Sequence, residues 1–335
     1  MLDFHVIPGP AIKTILGENP RLCIESAQSA YLAHHDGDTI NPDSYFLRFP
    51  KNERNRIIAL PASIDGDIGV SGIKWIGSFP DNIKTGLPRA SALLVLNDQA
   101  TGYPFACLEG ALISAARTAA SAVLGATWLN EGRKTAGSIA FVGAGVISRN
   151  ILDMFAADGW KFERVAIHDL DAESARSFAE HAAERTGCAV ARDGGLEGAL
   201  AADILVFATN AGTPYVKPPA AFRAGQIVLN ISLRDIAPEL ILGAVNIFDD
   251  VDHCMKANTS PHLAEQMTGD RGFVTGTLAA LIRGEISIDR GKPLIFSPFG
   301  MGILDLALGK RIFDEARKRG MTTPVPNFFA ETSRW

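Results

Sequence analysis

The stretch SIAFVGAGVISRN, residues 138–150, decides the fold class of this 335-residue chain. It has the pattern of a short apolar strand, a glycine-rich turn of the form Gly143-x-Gly145-x-x-Ser148, and the start of a helix. The first glycine permits a tight turn, and the second lets backbone N–H groups approach a pyrophosphate at the helix N-terminus. The stretch therefore predicts the first strand–helix unit of a dinucleotide-binding domain.

The sequence that follows indicates which dinucleotide is bound. A second strand, RVAIHD, ends in Asp169, twenty-four residues after Gly145. A carboxylate at this position hydrogen-bonds the adenosine ribose hydroxyls and repels a 2′-phosphate. Leu170 stands where an NADP enzyme often has a basic residue. We therefore expect NAD as the cofactor; the alternative is a Rossmann-like sheet that binds no dinucleotide.

The rest of the chain shows two kinds of pattern. Strand-like runs up to about residue 110, two of them joined by the hairpin-like link NDQATGY, predict an antiparallel sheet beside an early helix. Short apolar strands then alternate with helices, which is typical of a parallel doubly wound sheet, before a final helix. We predict an α/β protein in which a Rossmann-type NAD-binding domain, 123–301, is inserted in an α+β substrate-binding and dimerisation domain, 1–122 plus 302–335.

Composition excludes several classes of function. The net charge of −5 offers no basic stripe for nucleic acid. Four scattered cysteines and seven unclustered histidines indicate reduced thiols in a cytoplasmic protein and no metal site. The first ten residues lack a signal-peptide pattern. The stretch 111–129 has the length of a membrane span, but Arg117 and several hydroxyl residues favour a helix buried within a soluble protein.

Two basic residues stand in apolar surroundings. Lys74 lies between Ile73 and Trp75 in a strand-like run, and Arg117 interrupts an apolar helix. Burying an unpaired cation costs several kcal/mol, so Lys74 either reaches solvent or meets an anion, and Arg117 needs a buried partner. Together the two residues indicate a pocket for carboxylates, to which arginine binds bidentately.

Other charged residues are candidates for the same chemistry. Arg48, Arg56 and Arg89 could bind further carboxylates, although a solvated arginine at a strand end is equally common. Asp235 follows the strand GQIVLNISL at the carboxyl edge of the predicted sheet, where doubly wound folds bind ligands. A carboxylate there could act as general acid and base; the alternative is an N-cap for the segment APELILG.

These motifs together resemble the ornithine cyclodeaminase/μ-crystallin family over nearly the whole chain, in the segments GIKWIG, GYPFACLEGALISAARTAASA, VGAGVISRN, VAIHDLD, LNISLRD and FGMGILDLALG. The resemblance implies that Lys74 binds the substrate carboxylate, that Arg117 contacts substrate and cofactor, and that Asp235 is the catalytic acid and base. It also implies a homodimer formed through the first domain. The cofactor contacts that it implies are Arg117, Thr118, Gly143, Gly145, Val146, Ile147, Asp169, Asn210, Leu229, Asn230, Ile231 and Ser232.

Some positions depart from the cyclodeaminase pattern. The substrate arginine expected near Ser44 is absent, Arg89 replaces a neutral residue, and Pro298 replaces a serine. The segments RIIALPA, SGIKWIGS and PRASALLVLND look most like one branch of the family, the dehydrogenases of N-(2-amino-2-carboxyethyl)-L-glutamate. That substrate carries three carboxylates, and the extra arginines are what such a substrate would require. The likeness implies that Arg48 or Arg56 acts in place of the arginine expected near Ser44.

The likeness to this branch implies a reaction. The conjugate would undergo NAD-dependent oxidative hydrolysis to 2-oxoglutarate and L-2,3-diaminopropionate with release of NADH, in siderophore or related secondary-metabolite biosynthesis. An upstream pyridoxal-phosphate-dependent synthase would supply the substrate. Two alternatives stay open: an ornithine cyclodeaminase or a ketimine- or alanine-type dehydrogenase, and a μ-crystallin-like protein that binds a nicotinamide cofactor and a small ligand without turnover.

Overall fold

The computed structural model describes residues 3–192, 194–331, 333 and 334. Within these residues the strands are β1 (His5–Ile7), β2 (Thr39–Ile40), β3 (Tyr45–Arg48), β4 (Arg56–Ile64), β5 (Val70–Ser78), β6 (Ala90–Asn97), β7 (Pro104–Glu109), β8 (Thr135–Val142), β9 (Lys161–His168), β10 (Ala189–Ala191), β11 (Ile204–Phe207), β12 (Ile227–Asn230), β13 (Val245–Phe248), β14 (Val274–Thr277), β15 (Leu294–Ser297) and β16 (Thr323–Pro324). The helices are α1 (Gly9–Glu18), α2 (Arg21–His35), α3 (Gly110–Leu129), α4 (Val146–Ala157), α5 (Ala172–Thr186), α6 (Gly195–Leu200), α7 (Pro238–Leu242), α8 (Val251–Cys254), α9 (Ser260–Thr268), α10 (Leu278–Arg283) and α11 (Gly302–Lys318), with a 3₁₀ helix at Pro80–Thr85.

The chain forms two compact units. The central unit is Thr118–Gly300, and the flanking unit consists of the residues up to Arg117 together with those from Met301. Each unit contains its own eight-stranded sheet. That the central unit binds NAD and the flanking unit binds substrate stays a prediction.

The sheet of the central unit is parallel throughout, in the order β10-β9-β8-β11-β12-β15-β13-β14. The chain runs outward from β8 through β9 to β10, and then crosses to β11 on the other side of β8. Ligands of doubly wound folds bind at the carboxyl ends of the strands beside such a reversal. The predicted Rossmann-type sheet is confirmed, and β8 is its first strand.

The sheet of the flanking unit is mixed. The predicted antiparallel pairs are present from β4 to β7, including the hairpin between β6 and β7. The prediction of an antiparallel sheet does not hold for β1, which pairs in parallel with β7 and antiparallel with β16. A three-residue strand carries too little alternation to reveal such a pairing in advance.

Helix α11 packs closely on one face of this sheet. A Cβ atom at Gly309 would overlap the Leu94 side chain, and one at Gly302 would lie 3.1 Å from the Leu60 carbonyl oxygen. The two glycines therefore allow the helix backbone to approach β4 and β6. This approach places Asp305, on the first turn of α11, inside the packed face, where it is fully buried.

Helix α3 is the membrane-length stretch noted in the sequence. Its length and composition would suffice to cross a bilayer, with a mean hydropathy of 1.2, but 61% of that apolar window is buried inside the fold. The expectation of a buried helix is confirmed.

Candidate functional site

The glycine-rich turn has the backbone that the sequence predicts. Gly143 has a φ of +99°, and a Cβ atom there would lie 2.5 Å from the Ala208 carbonyl oxygen. Gly145 precedes α4 with nothing within 4 Å of a Cβ position, so its backbone is open to a ligand. Gly143 is thus required by its positive φ and by the close approach of the Ala208 carbonyl oxygen. Gly145 leaves room for a ligand at the start of α4.

Ser148 explains how the turn closes without a third glycine. Its buried hydroxyl donates to the Gly143 carbonyl oxygen over 2.5 Å. A hydroxyl at this position therefore satisfies a carbonyl of the turn and also stays small enough for α4 to pack on the sheet.

Asp169 follows β9 and is joined to the glycine-rich turn. Its Oδ2 accepts the Ala144 N–H over 2.6 Å, and its Oδ1 accepts the Asp171 N–H over 2.8 Å. A carboxylate oxygen accepts more than one hydrogen bond, so both oxygens keep capacity for ribose hydroxyls. Leu170 beside it is exposed and supplies no positive charge. The turn and this carboxylate fit an NAD-type dinucleotide.

Asp235 lies beyond the end of β12 and is fully buried. Its Oδ1 accepts the Thr209 hydroxyl over 2.5 Å and the Tyr215 hydroxyl over 2.8 Å. Its Oδ2 is buried without a hydrogen-bond partner among the described residues. Helix α7 begins at Pro238 with Ala237 as its N-cap, so the alternative that Asp235 caps this helix is wrong.

Lys74 is buried on the face of the flanking sheet that packs against α11. Its Nζ donates to Asp305 Oδ2 over 2.6 Å and to Ser114 Oγ over 3.2 Å. Burial and the neighbouring Arg117 lower the pKa of Lys74 to about 8, while Asp305 opposes this shift. The anion that the sequence required for Lys74 is therefore a carboxylate of the same chain.

Arg117 shares that carboxylate. Its Nε donates to Asp305 Oδ1 over 3.2 Å, so Asp305 bridges two cations. Two basic side chains, Lys74 and Arg117, therefore share the single carboxylate of Asp305 inside the flanking unit. Sequence reasoning missed Asp305; the available signal was an acidic residue within the apolar helical segment GILDLALG.

The three other arginines occupy different environments. Arg48 and Arg56 lie opposite each other on β3 and β4, and Arg48 is exposed and stacks on the Phe46 ring. Arg89 is exposed between the 3₁₀ helix and β6, and its backbone carbonyl accepts the Phe79 N–H. Their substrate-binding roles stay predictions.

The other residues expected at the cofactor differ in exposure. Val146 and Asn210 are exposed, whereas Leu229, Asn230 and Ser232 are buried at the end of β12. Two buried oxygens of this last group, Asn230 Oδ1 and Ser232 Oγ, have no partner among the described residues. Thr118, Ile147 and Ile231 are half-buried. All of these cofactor contacts stay predictions.

The fold and these two clusters define a Rossmann-type α/β protein with a buried acid–base candidate and a buried carboxylate–cation cluster. The chain belongs to the ornithine cyclodeaminase/mu-crystallin family, whose model matches residues 21–320. It is 28% identical over 319 residues to the N-((2S)-2-amino-2-carboxyethyl)-L-glutamate dehydrogenase of Staphylococcus aureus, covering 92% of this chain and 94% of that one.

Solved structures show the same fold. The Thermococcus litoralis Δ¹-pyrroline-2-carboxylate reductase in complex with NADH and L-proline superposes with a TM-score of 0.87 at 23% identity, over 96% of this chain and 100% of that one. An archaeal alanine dehydrogenase dimer with bound NAD gives a TM-score of 0.84 at 22% identity, over 98% and 100%.

Proposed function

We propose that the protein is an NAD-dependent oxidoreductase that hydrolyses N-(2-amino-2-carboxyethyl)-L-glutamate oxidatively to 2-oxoglutarate and L-2,3-diaminopropionate. The observation that carries the proposal is that two basic side chains, Lys74 and Arg117, lie together on the single buried carboxylate of Asp305, an arrangement of donors that suits a substrate carboxylate. Support for this particular substrate comes from the relative in Staphylococcus aureus and from the three additional arginines. The assignment to siderophore or related biosynthesis, and to a cytoplasmic location, belongs to the same proposal.

The cofactor would be held by the glycine-rich turn and Asp169. Bound NAD supplies a hydride acceptor for the glutamate Cα–H. The open backbone at Gly145 suits the pyrophosphate, and the two carboxylate oxygens of Asp169 suit the ribose hydroxyls. Lys74 and Arg117 fix the substrate carboxylate, and with it the orientation of Cα.

Asp235 would move the protons of the hydrolytic half of the reaction. Loss of hydride from Cα would leave a protonated C=N bond, in which the nitrogen keeps its own proton. Asp235 Oδ2 accepts a proton from water as the water oxygen bonds to that carbon. Asp235 then returns this proton to the nitrogen as the C–N bond breaks, so that the nitrogen leaves as the NH2 group of diaminopropionate. The remaining hydroxyl group loses its proton to solvent and becomes the carbonyl of 2-oxoglutarate.

One assay separates this proposal from its alternatives. The purified protein, NAD and the synthetic conjugate should accumulate NADH, with both products identified by mass. Conversion of ornithine to proline and ammonia without net NADH would instead indicate a cyclodeaminase. Tight binding of cofactor and ligand with no turnover of any candidate would indicate a binding protein.

Arg89→Ala should lower kcat/KM for the conjugate about 10- to 100-fold, because a charge-assisted bond to a substrate carboxylate would be lost. The affinity for NAD should stay within a few-fold. Lys13→Ala, which removes an exposed cation of the same unit, serves as the control. Weaker NAD binding with unchanged substrate kinetics would make Arg89 a cofactor ligand and remove support for a tricarboxylate substrate.

The protein should bind NAD at least about tenfold more tightly than NADP, because Asp169 would face the 2′-phosphate. Asp169→Ser should narrow that ratio in fluorescence titrations of NADH and NADPH. Asp171→Asn, which changes the nearby carboxylate that caps α5, should leave the ratio as it is. Equal affinities in the unmodified protein would contradict the assignment.

The homodimer is proposed to form through the outer face of the flanking sheet. Tyr45, Ala59, Trp75 and Leu93 lie side by side across β3, β4, β5 and β6, on the face opposite Lys74. Trp75 is 44% exposed and Leu93 is 51% exposed. An apolar row of this kind on a sheet marks an interaction surface, and the archaeal alanine dehydrogenase of the same fold is a dimer. A second copy of this chain is therefore the proposed partner.

Leu93→Glu should convert the dimer to a monomer, because a carboxylate would be buried at the centre of the interface. Light scattering coupled to size exclusion should then report the chain mass, 35.7 kDa, in place of twice that value. Met267→Glu, an exposed apolar position on α9 in the central unit, should leave the dimer intact. A dimer that survives Leu93→Glu would place the interface elsewhere.

A further inference from the structure

The carboxylate of Asp235 is held asymmetrically. Both of its hydrogen-bond donors, Thr209 and Tyr215, bind the same oxygen, Oδ1. The other oxygen, Oδ2, is buried and has no partner among the described residues. Buried polar atoms are nearly always satisfied, so an unsatisfied carboxylate oxygen at the carboxyl edge of the sheet points to a donor that arrives with a ligand.

The direction of each donated bond is fixed by the surrounding structure. The Thr209 oxygen accepts the Ala211 N–H over 3.1 Å, so its own proton is free to point at Asp235. The Asp235 carboxylate and burial raise the pKa of Tyr215 well above its ordinary value, with burial the larger cause. Tyr215 therefore stays protonated, and remains a donor, over the whole working pH range.

The two hydroxyls are not needed to hold the backbone in place. The N–H groups of Tyr215 and Val216 donate to the Asp235 carbonyl oxygen over 3.1 and 3.0 Å, and Ala237 N–H donates to the Val216 carbonyl oxygen over 2.8 Å. These three backbone bonds join the segment after β11 to the segment after β12. Removal of either hydroxyl should therefore leave the fold intact.

Two neighbouring polar side chains have other hydrogen-bond partners. Arg234 Nη2 donates to the Ala257 carbonyl oxygen, and Ser260, the first residue of α9, accepts the Ile236 N–H. Asp169 acts at longer range on Tyr215 and raises its pKa further. Within the described part of the chain, the Thr209 and Tyr215 hydroxyls are the side-chain donors hydrogen-bonded to the Asp235 carboxylate.

We propose that Thr209 and Tyr215 are positioning residues, which hold Oδ1 of Asp235 so that Oδ2 is the oxygen that accepts the proton from water and returns it to the departing nitrogen. This inference rests on the proposed acid–base role of Asp235. The hydroxyls stabilise the charged carboxylate and fix its plane, and they contribute no proton to the reaction themselves.

The test compares three substitutions by two measurements. Tyr215→Phe and Thr209→Val each remove one hydroxyl, and Thr209→Ser keeps it. The first measurement is the pH profile of kcat/KM for the conjugate. The second is a carbon-13 NMR titration of the full-length, ligand-free protein labelled at aspartate carboxyls, in which the Asp235 signal is the one absent from Asp235→Asn.

Loss of a donor to a carboxylate favours its protonated form. Tyr215→Phe and Thr209→Val should each move the NMR midpoint, and the acidic limb of the rate profile, about one pH unit upward. Thr209→Ser should stay within about 0.3 pH unit of the unmodified protein. Midpoints that do not move in Tyr215→Phe and Thr209→Val would overturn the inference even if activity fell. Shifted NMR midpoints in a protein that never forms NADH would instead uphold the positioning and overturn the proposed reaction.

Discussion

Asp235→Asn is expected to lower kcat/KM for the conjugate by about 10³-fold, because proton transfer by a positioned group contributes 10²- to 10⁴-fold. Asparagine has the same shape, and its amide oxygen can still accept the Thr209 and Tyr215 hydroxyls. What it lacks is an oxygen at the Oδ2 position that can take up a proton. Binding of NAD should stay within a few-fold, since the glycine-rich turn and Asp169 are unchanged.

The measurement is steady-state NADH formation, with cofactor affinity from fluorescence titration. Asp203→Asn is the matched control: this carboxylate precedes β11 at the opposite, amino end of the strands and accepts the Ser138 N–H and hydroxyl. The substitution Asp203→Asn should change kcat/KM little. A variant Asp235→Asn that keeps more than about a tenth of kcat/KM would contradict the acid–base role.

Sequence could predict those parts of the fold that depend on interactions between residues close together in the chain. The turn at Gly143 needs a positive φ, which glycine alone adopts readily, and the apolar strand before it and the helix after it are periodic over their own length. The contact between Asp169 and the turn follows from the same unit, because neighbouring parallel strands end at one edge. The sequence alone is enough to predict these features.

The parts that sequence could not predict depend on pairing across long separations. Lys74 and Asp305 are 231 residues apart, and periodicity showed that each element is apolar without showing that α11 packs on β5. Thr209 and Tyr215 lie in an irregular segment with no repeating pattern, and they reach Asp235 only because β11 and β12 are neighbours. The residues most informative about chemistry therefore came from tertiary structure.

Asp305→Asn should destabilise the protein by about 3–5 kcal/mol, the usual cost of removing one partner from a buried ion pair. The substitution preserves shape but leaves Lys74 and Arg117 buried without the carboxylate that they share. The midpoint of thermal unfolding should fall by about 5 °C or more. Asp314→Asn, on the same helix, breaks an exposed pair with Lys310 and should change stability by less than about 1 kcal/mol.

The pH dependence of this loss has a definite sign. Asp305 is the group that raises the pKa of Lys74 against burial and Arg117, so its removal should move that pKa further below about 8. Between the lowered value and about 8, the folded variant then binds fewer protons than its unfolded chain, and its stability rises with pH. The folded unmodified protein keeps the Lys74 proton over that range. The free energy of unfolding that Asp305→Asn costs, relative to the unmodified protein, should therefore become smaller as pH rises toward about 8.

A second substitution in the variant separates lost charge pairing from lost packing. Lys74→Met removes the cation that Asp305→Asn leaves unpaired. In the Asp305→Asn protein it should therefore raise the midpoint of thermal unfolding part of the way back to that of the unmodified protein. In the unmodified protein Lys74→Met should not stabilise, because Arg117 remains as a partner for Asp305. Thermal unfolding of the unmodified protein, the two single variants and the double variant measures the coupling energy between Lys74 and Asp305 directly. Additive effects, with no recovery by Lys74→Met, would show that the charges of Lys74 and Asp305 are not coupled and would contradict the buried ion pair as the source of the lost stability.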